Sequence, residues 1–145
     1  IKNGKLYAET LEITNSATAE GSLTVLEFDD QNKVFNKVKV ITKDMSVARP
    51  GGNFIDTKES LIRVSQDCKN SYGDALNLIS VDGSTFEDKK LIKRFTCSNV
   101  SFSQKVSPNG IHTYNLSEDF EVIDLKFYKS SIYHIICKFL RPFRK

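Results

Sequence analysis

Tryptophan is absent from the 145 residues, histidine occurs twice and cysteine three times, and each scarcity closes off a chemistry. Cys68, Cys97 and Cys137 stand far apart, without the CxxC or Cys–His spacing of a zinc site. The sequence therefore predicts no metal, and the three thiols read as small buried hydrophobes. No apolar run approaches the roughly 20 residues that a membrane helix requires, and no signal-peptide pattern opens the chain. The first residue is Ile rather than Met, as expected of a processed or excised piece. The compartment stays open, with the cytoplasm ranked first. The 21 Lys and Arg against 18 Asp and Glu give a net charge of +3, spread along the chain except at its end. That balance offers no electrostatic case for nucleic acid. Ser–His–Asp arrangements and glycine-rich phosphate loops are also missing, so no cofactor is expected.

What the chain has instead is strand. Most apolar segments are short, alternate with period two, and end in clusters of Gly, Asn, Asp or Lys. "GKLYAETLEI" alternates through Leu6, Ala8, Leu11 and Ile13. "SLTVLEFDD", "QNK" and "VFNKVKVIT" read as a hairpin, with Leu23, Val25 and Glu27 on one face and Thr24, Leu26 and Phe28 on the other. Val34, Val38 and Val40 then alternate with lysines, the pattern of a strand with one wet face. "GGNFI", "DTKE" and "SLIRVSQ" form a second hairpin. "ALNLISV" meets Asp82-Gly83, a short turn signal, before Phe86 and "KLIKRFTC". "NGIHTYNL", "SEDF" and "EVIDLKFYK" give the last pair, for eight to ten strands in all. Regular short strands of this kind predict a sandwich, a barrel or propeller blades. Residues 131–145 differ: Ile132, Ile135, Ile136, Phe139 and Leu140 recur at helical spacing until Pro142, and Lys138, Arg141, Arg144 and Lys145 make the end basic. They form a segment of their own, either a short amphipathic helix or a closing strand.

Residues 48–73, "ARPGGNFIDTKESLIRVSQDCKNSYG", concentrate hydrogen-bonding side chains around two short apolar segments bounded by glycines. "ARPGGN", "LIRVSQDC", "YGDALNLISV", "FED", "GIHTYN" and "EVID", in that order, resemble the glycosyl-hydrolase-like five-bladed β-propeller domain. That domain accompanies formyltransferases of bacterial polysaccharide synthesis and glucosamine inositolphosphorylceramide transferases of plants, and is similar to the furanosidase propellers of glycoside hydrolase families 32, 43 and 68. The resemblance runs from about residue 45 to 125. Gly51, Val64 and Leu125 depart from it, standing where family members usually carry Ala, Pro and Gly. It implies residues 1–130 as antiparallel four-stranded blades. At about 40 to 45 residues per blade, the length supplies about three of five, so missing blades or a neighbouring transferase domain are the implied partners. The implied role is binding a sugar or glycan substrate. The alternatives are a glycosidase-like hydrolase and a scaffold without a small-molecule site.

The ligand-binding candidates are Arg49, Asn53, Gln66, Asp67, Tyr72 and His112. A guanidinium stiffened by Pro50 can hold a carboxylate or a pair of sugar hydroxyls; the plainer reading is a blade-to-blade salt bridge to Asp67. Gln66 and Asp67 alternate, so only one of them can face a given pocket. Their plainer role is to cap turns. Asp67 and Glu87 are the candidate catalytic carboxylates, since glycosidases use two, one on each side of the scissile bond; a solvated Glu87 is the plainer reading. His112, beside Tyr114 on a strand, can bind a hydroxyl or bond locally, and Asp124 is expected to end its strand. With no Trp as a stacking platform, Tyr7, Tyr72, Tyr114 and Phe86 are the rings left for one. The sequons at Asn99 and Asn115 matter only in a secretory pathway.

Overall fold

A computed structural model describes residues 4–17, 20–100 and 108–127, and these are built from antiparallel strands with one 3-10 turn, Cys97–Asn99. The strands β1 (Tyr7–Asn15), β2 (Glu20–Asp29) and β3 (Val34–Thr42) form a three-stranded meander. A second sheet runs β4 (Arg49–Pro50), β6 (Leu61–Asp67), β7 (Ala75–Val81), β8 (Asp88–Phe95), with β5 (Ile55–Asp56) also pairing β6. Strands β4 and β5 are thus two pieces of one interrupted edge. A hairpin of β9 (Gly110–Leu116) and β10 (Glu121–Lys126) follows. The expected strand count and hairpins are present, and none of these sheets closes on itself. No described helix is long and apolar enough to cross a membrane. The segment 131–145 and Cys137 lie outside the described residues.

Side chains that bond their own backbone make the turns. The Asp29 carboxylate accepts the N–H groups of Gln31 and Asn32 at 2.9 and 3.1 Å, and Lys33 takes the left-handed conformation that brings the chain back. Ser117 Oγ does the same for Asp119 and Phe120. At Asp82-Gly83 the expectation needs correction. Asp82 Oδ1 accepts from Ser84 and Thr85, and the loop continues to Glu87, whose carbonyl pairs with Asp82 N–H at 2.8 Å. The left-handed residue is Phe86, with φ +61°, and not Gly83. Phe86 is held there because its buried ring packs on Tyr7 and Phe54.

The β4–β8 sheet is the middle layer. On one side Val64, Leu76 and Leu78 meet Ile111 and Tyr114 of the hairpin, with Ile62, Phe95, Ile123 and Leu125 around them. Each aliphatic side chain buried here contributes about 1.5–3 kcal/mol. The opposite side is mixed, with buried Ala75, Ile79 and Val81 beside polar groups. Arg63, 1% exposed, reaches Glu9 of β1 at 3.3 Å, Ser65 Oγ at 3.2 Å and the Asp88 carboxylate. Burial penalises the charged carboxylate of Glu9 and pushes its pKa up, against the opposing pull of Arg63.

Two burial expectations fail. Val34, Val38 and Val40 do not give β3 a dry face: they are 47%, 55% and 38% exposed, because β3 is the outer strand of its sheet and no described element covers it. Cys68 and Cys97 are half-buried free thiols rather than core residues, since both lie in connections beyond strand ends.

Candidate functional site

Proline and glycine set the path at the seam between the middle sheet and the hairpin. Pro50 fixes φ at the end of β4, and Gly51 N–H still reaches Val64 O at 2.8 Å. A Cβ on Gly52 would stand 1.9 Å from Tyr114 O, so only glycine lets the two backbones approach this closely. The approach is locked by Tyr114 N–H to Gly51 O at 2.8 Å and Asn53 N–H to Asn115 Oδ1 at 2.9 Å.

At the start of β4 the register sets Arg49 opposite Gln66, on one side of the sheet. Gln66 is 2% exposed; its Nε2 donates to His112 O at 3.2 Å, and its Oε1 accepts from Cys68 Sγ. The loop after β6 returns through Gly73, which has φ +76° and touches His112 where a side chain would not fit. That return lays Tyr72 against His112 with ring centroids 4.9 Å apart. Arg49 Cζ lies 5.1 Å from the centre of the Tyr72 ring. Lys126 Nζ stands 5.7 Å from the same ring and 3.5 Å from Tyr72 O. His112 Nδ1 faces Asp124 Oδ2 at 3.3 Å.

Four of the six candidate ligand residues, Arg49, Gln66, Tyr72 and His112, therefore converge at one rim. Two do not. Asn53 sits farther along the seam, exposed, with its backbone N–H engaged. Asp67 turns to the opposite face, as alternation requires, where Oδ2 meets Arg94 at 3.2 Å and Oδ1 accepts Lys69 N–H. The expected Arg49–Asp67 salt bridge is thus not made: Arg94 takes the carboxylate, and the ion pair between the two sheets is that of Arg63 with Glu9. Asp67 and Glu87 are not brought together either. Asp67 ends β6, whereas Glu87 precedes β8 at the far end of the sheet and pairs with Lys39. At about 3.3 Å per strand residue they stand on the order of 20 Å apart, far beyond the roughly 5 to 9.5 Å of glycosidase carboxylates. Asp124 does not end its strand; it precedes the irregularity in β10, directed at His112. Of the four candidate rings, Tyr114 and Phe86 are buried and Tyr7 stacks on Phe86, which leaves Tyr72, 50% exposed.

Three buried side-chain polar atoms lack a hydrogen-bond partner among the described residues: Arg49 Nε, His112 Nε2 and Asn77 Oδ1. Leaving such an atom unsatisfied costs about 1–3 kcal/mol, and two of the three border the Tyr72 ring. Sequence reading missed Lys126 and Cys68 as neighbours of this rim. The only available signal was Lys126 lying two residues beyond Asp124 on one strand. No group of three His, Cys, Asp or Glu suited to a metal occurs among the described residues. Two grooves, of about 600 Å³ beside Lys5, Glu27 and Asn36 and about 370 Å³ beside Asp67, Asn77 and Arg94, lie elsewhere. No family model, curated protein or solved structure matches the chain.

Proposed function

We propose that this chain forms blades of a β-propeller and that the Arg49–Tyr72–His112 rim binds a sugar or sugar-linked substrate for an enzyme acting beside it. The blade reading is supported by the up-and-down order β4–β6–β7–β8, its solvent-facing last strand, and the flanking layers on both faces. Arg49 begins the edge strand at the same end as the β6–β7 loop, so the rim gathers where one blade meets the next. The single observation that carries the ligand reading is the pair of buried, unpartnered atoms, Arg49 Nε and His112 Nε2, beside a half-open tyrosine ring. A sugar offers what that arrangement lacks, namely hydroxyls for the polar atoms and a C–H face for the ring.

A glycan microarray tests this. Binding to a defined group of glycans is expected, weakened about 2- to 12-fold by Tyr72→Ala, since a ring contact is worth about 0.5–1.5 kcal/mol. An array without signal, or a signal that Tyr72→Ala and His112→Ala both leave unchanged, refutes it. A scaffold without a small-molecule site is the second reading, favoured by the uncovered Val34, Phe35 and Val38 along β3.

A further inference from the structure

We infer that the ligand of the Tyr72 rim is an anionic sugar, one that carries a carboxylate or a phosphate beside its hydroxyls; this rests on the sugar reading above. Charge at the rim is lopsided. Both carboxylates that flank the β6–β7 loop, Asp67 and Asp74, are drawn to Arg94, at 3.2 and 3.0 Å. Arg49, at the same end of the sheet, has no salt bridge to any described residue, and its Nε is buried without an acceptor. A guanidinium held so presents a fork that matches the two oxygens of a carboxylate or phosphate, whereas a neutral hydroxyl fills only part of it. Lys126 also stands over the tyrosine ring, and the Asp124 carboxylate at this rim faces His112 rather than Arg49.

His112 specifies the rest of the ligand. Its Nδ1 stands 3.3 Å from Asp124 Oδ2, and its Nε2 is buried without a partner among the described residues. A hydroxyl, which can both donate and accept, meets that nitrogen in either tautomer. Arg49 and His112 both lie within about 5 Å of the Tyr72 ring, at 5.1 and 4.9 Å. An oxyanion, a hydroxyl and an apolar C–H face are thus required of one small molecule, and a uronic acid or a sugar phosphate has all three.

The test is an array of matched neutral, uronic-acid and phosphorylated glycans, followed by titration of the preferred glycan and of inorganic phosphate. Acidic glycans are expected to bind at least about tenfold more tightly than their neutral counterparts. The advantage should shrink as salt is raised and collapse in Arg49→Met, while Glu59→Gln, on the distant β5–β6 turn, leaves it intact. If Arg49→Met does not fold, Arg49→Lys, which keeps the charge and loses the fork, should retain only part of the advantage. Whether the uronic or the phosphorylated arm responds identifies the anion. Neutral glycans binding as tightly as acidic ones, or a preference that survives Arg49→Met, overturns the inference and leaves the sugar site standing. Inorganic phosphate matching the preferred glycan, or no glycan binding at all, overturns both.

Discussion

Replacing Arg63 by Met removes the cation from a deeply buried polar cluster. The Arg63 and Glu9 side chains are 2% and 7% exposed, while Asp88, at 33%, keeps contact with water. The substitution strands Glu9 in a buried seam and removes the donor that Arg63 gives to Ser65 Oγ. Breaking one side of a buried pair costs about 3–5 kcal/mol, whereas replacing both partners with apolar groups of similar volume is often nearly neutral. Arg63→Met should therefore lower stability by about 4 kcal/mol in urea unfolding, and Arg63→Met with Glu9→Leu should restore most of it. The deficit should also depend on pH. Glu9 is already pushed up by burial, and loss of Arg63 pushes it further. For a carboxyl raised in the folded state, stability is fully present below the unfolded pKa and is lost as pH rises through the folded value. The variant should therefore trail the parent less at about pH 4 than at about pH 7. A single-variant cost below about 1 kcal/mol, or a double variant no better than the single, would refute the claim that a buried ion pair joins these two layers.

The seam makes its own prediction. Gly52→Ala must push β9 away from the start of the middle sheet and should cost about 3 kcal/mol, whereas Gly83→Ala, with nothing within 4 Å of its Cβ, should change stability by less than about 0.5 kcal/mol. Equal effects in thermal unfolding would contradict the contact. Acid should unfold the protein through its turns. Lys89 first, then the N–H groups of Ser84 and Thr85, hold the Asp82 carboxyl far below its ordinary range, and Glu12, Glu27, Asp29 and Asp44 are lowered too. A lowered carboxyl stabilises above its unfolded pKa, so the urea midpoint should fall as pH drops below about 4. Asp82→Asn keeps the turn acceptor without the titration and should show a shallower fall; an identical slope would sink that assignment.

The rim could be read in advance only in part. Arg49, Gln66, Tyr72 and His112 stood out because polar side chains near glycines and a proline suggested a strand end turned toward a ligand. Alternation also separated Gln66 from Asp67 correctly. Which of the two would reach the rim was beyond alternation, because it depends on which neighbouring layer lies on which face. Lys126 gave only the signal of its place two residues beyond Asp124, since its nearness to Tyr72 comes from folding the hairpin against the β6–β7 loop.

Most of the described strands and turns follow from the sequence alone, because period-two alternation and Asp, Ser and Gly chemistry act over a few residues; the two short edge pieces Arg49–Pro50 and Ile55–Asp56 do not. Long-range assembly decided the rest. Arg63 became a buried ion-pair partner because a second sheet lies over it; Val34, Val38 and Val40 stayed exposed because none lies over them. Asp67 and Glu87, 20 positions apart in sequence, ended at opposite ends of one sheet because successive antiparallel strands reverse direction. Local pattern fixes which way a side chain points, and only the packed layers determine what it meets there.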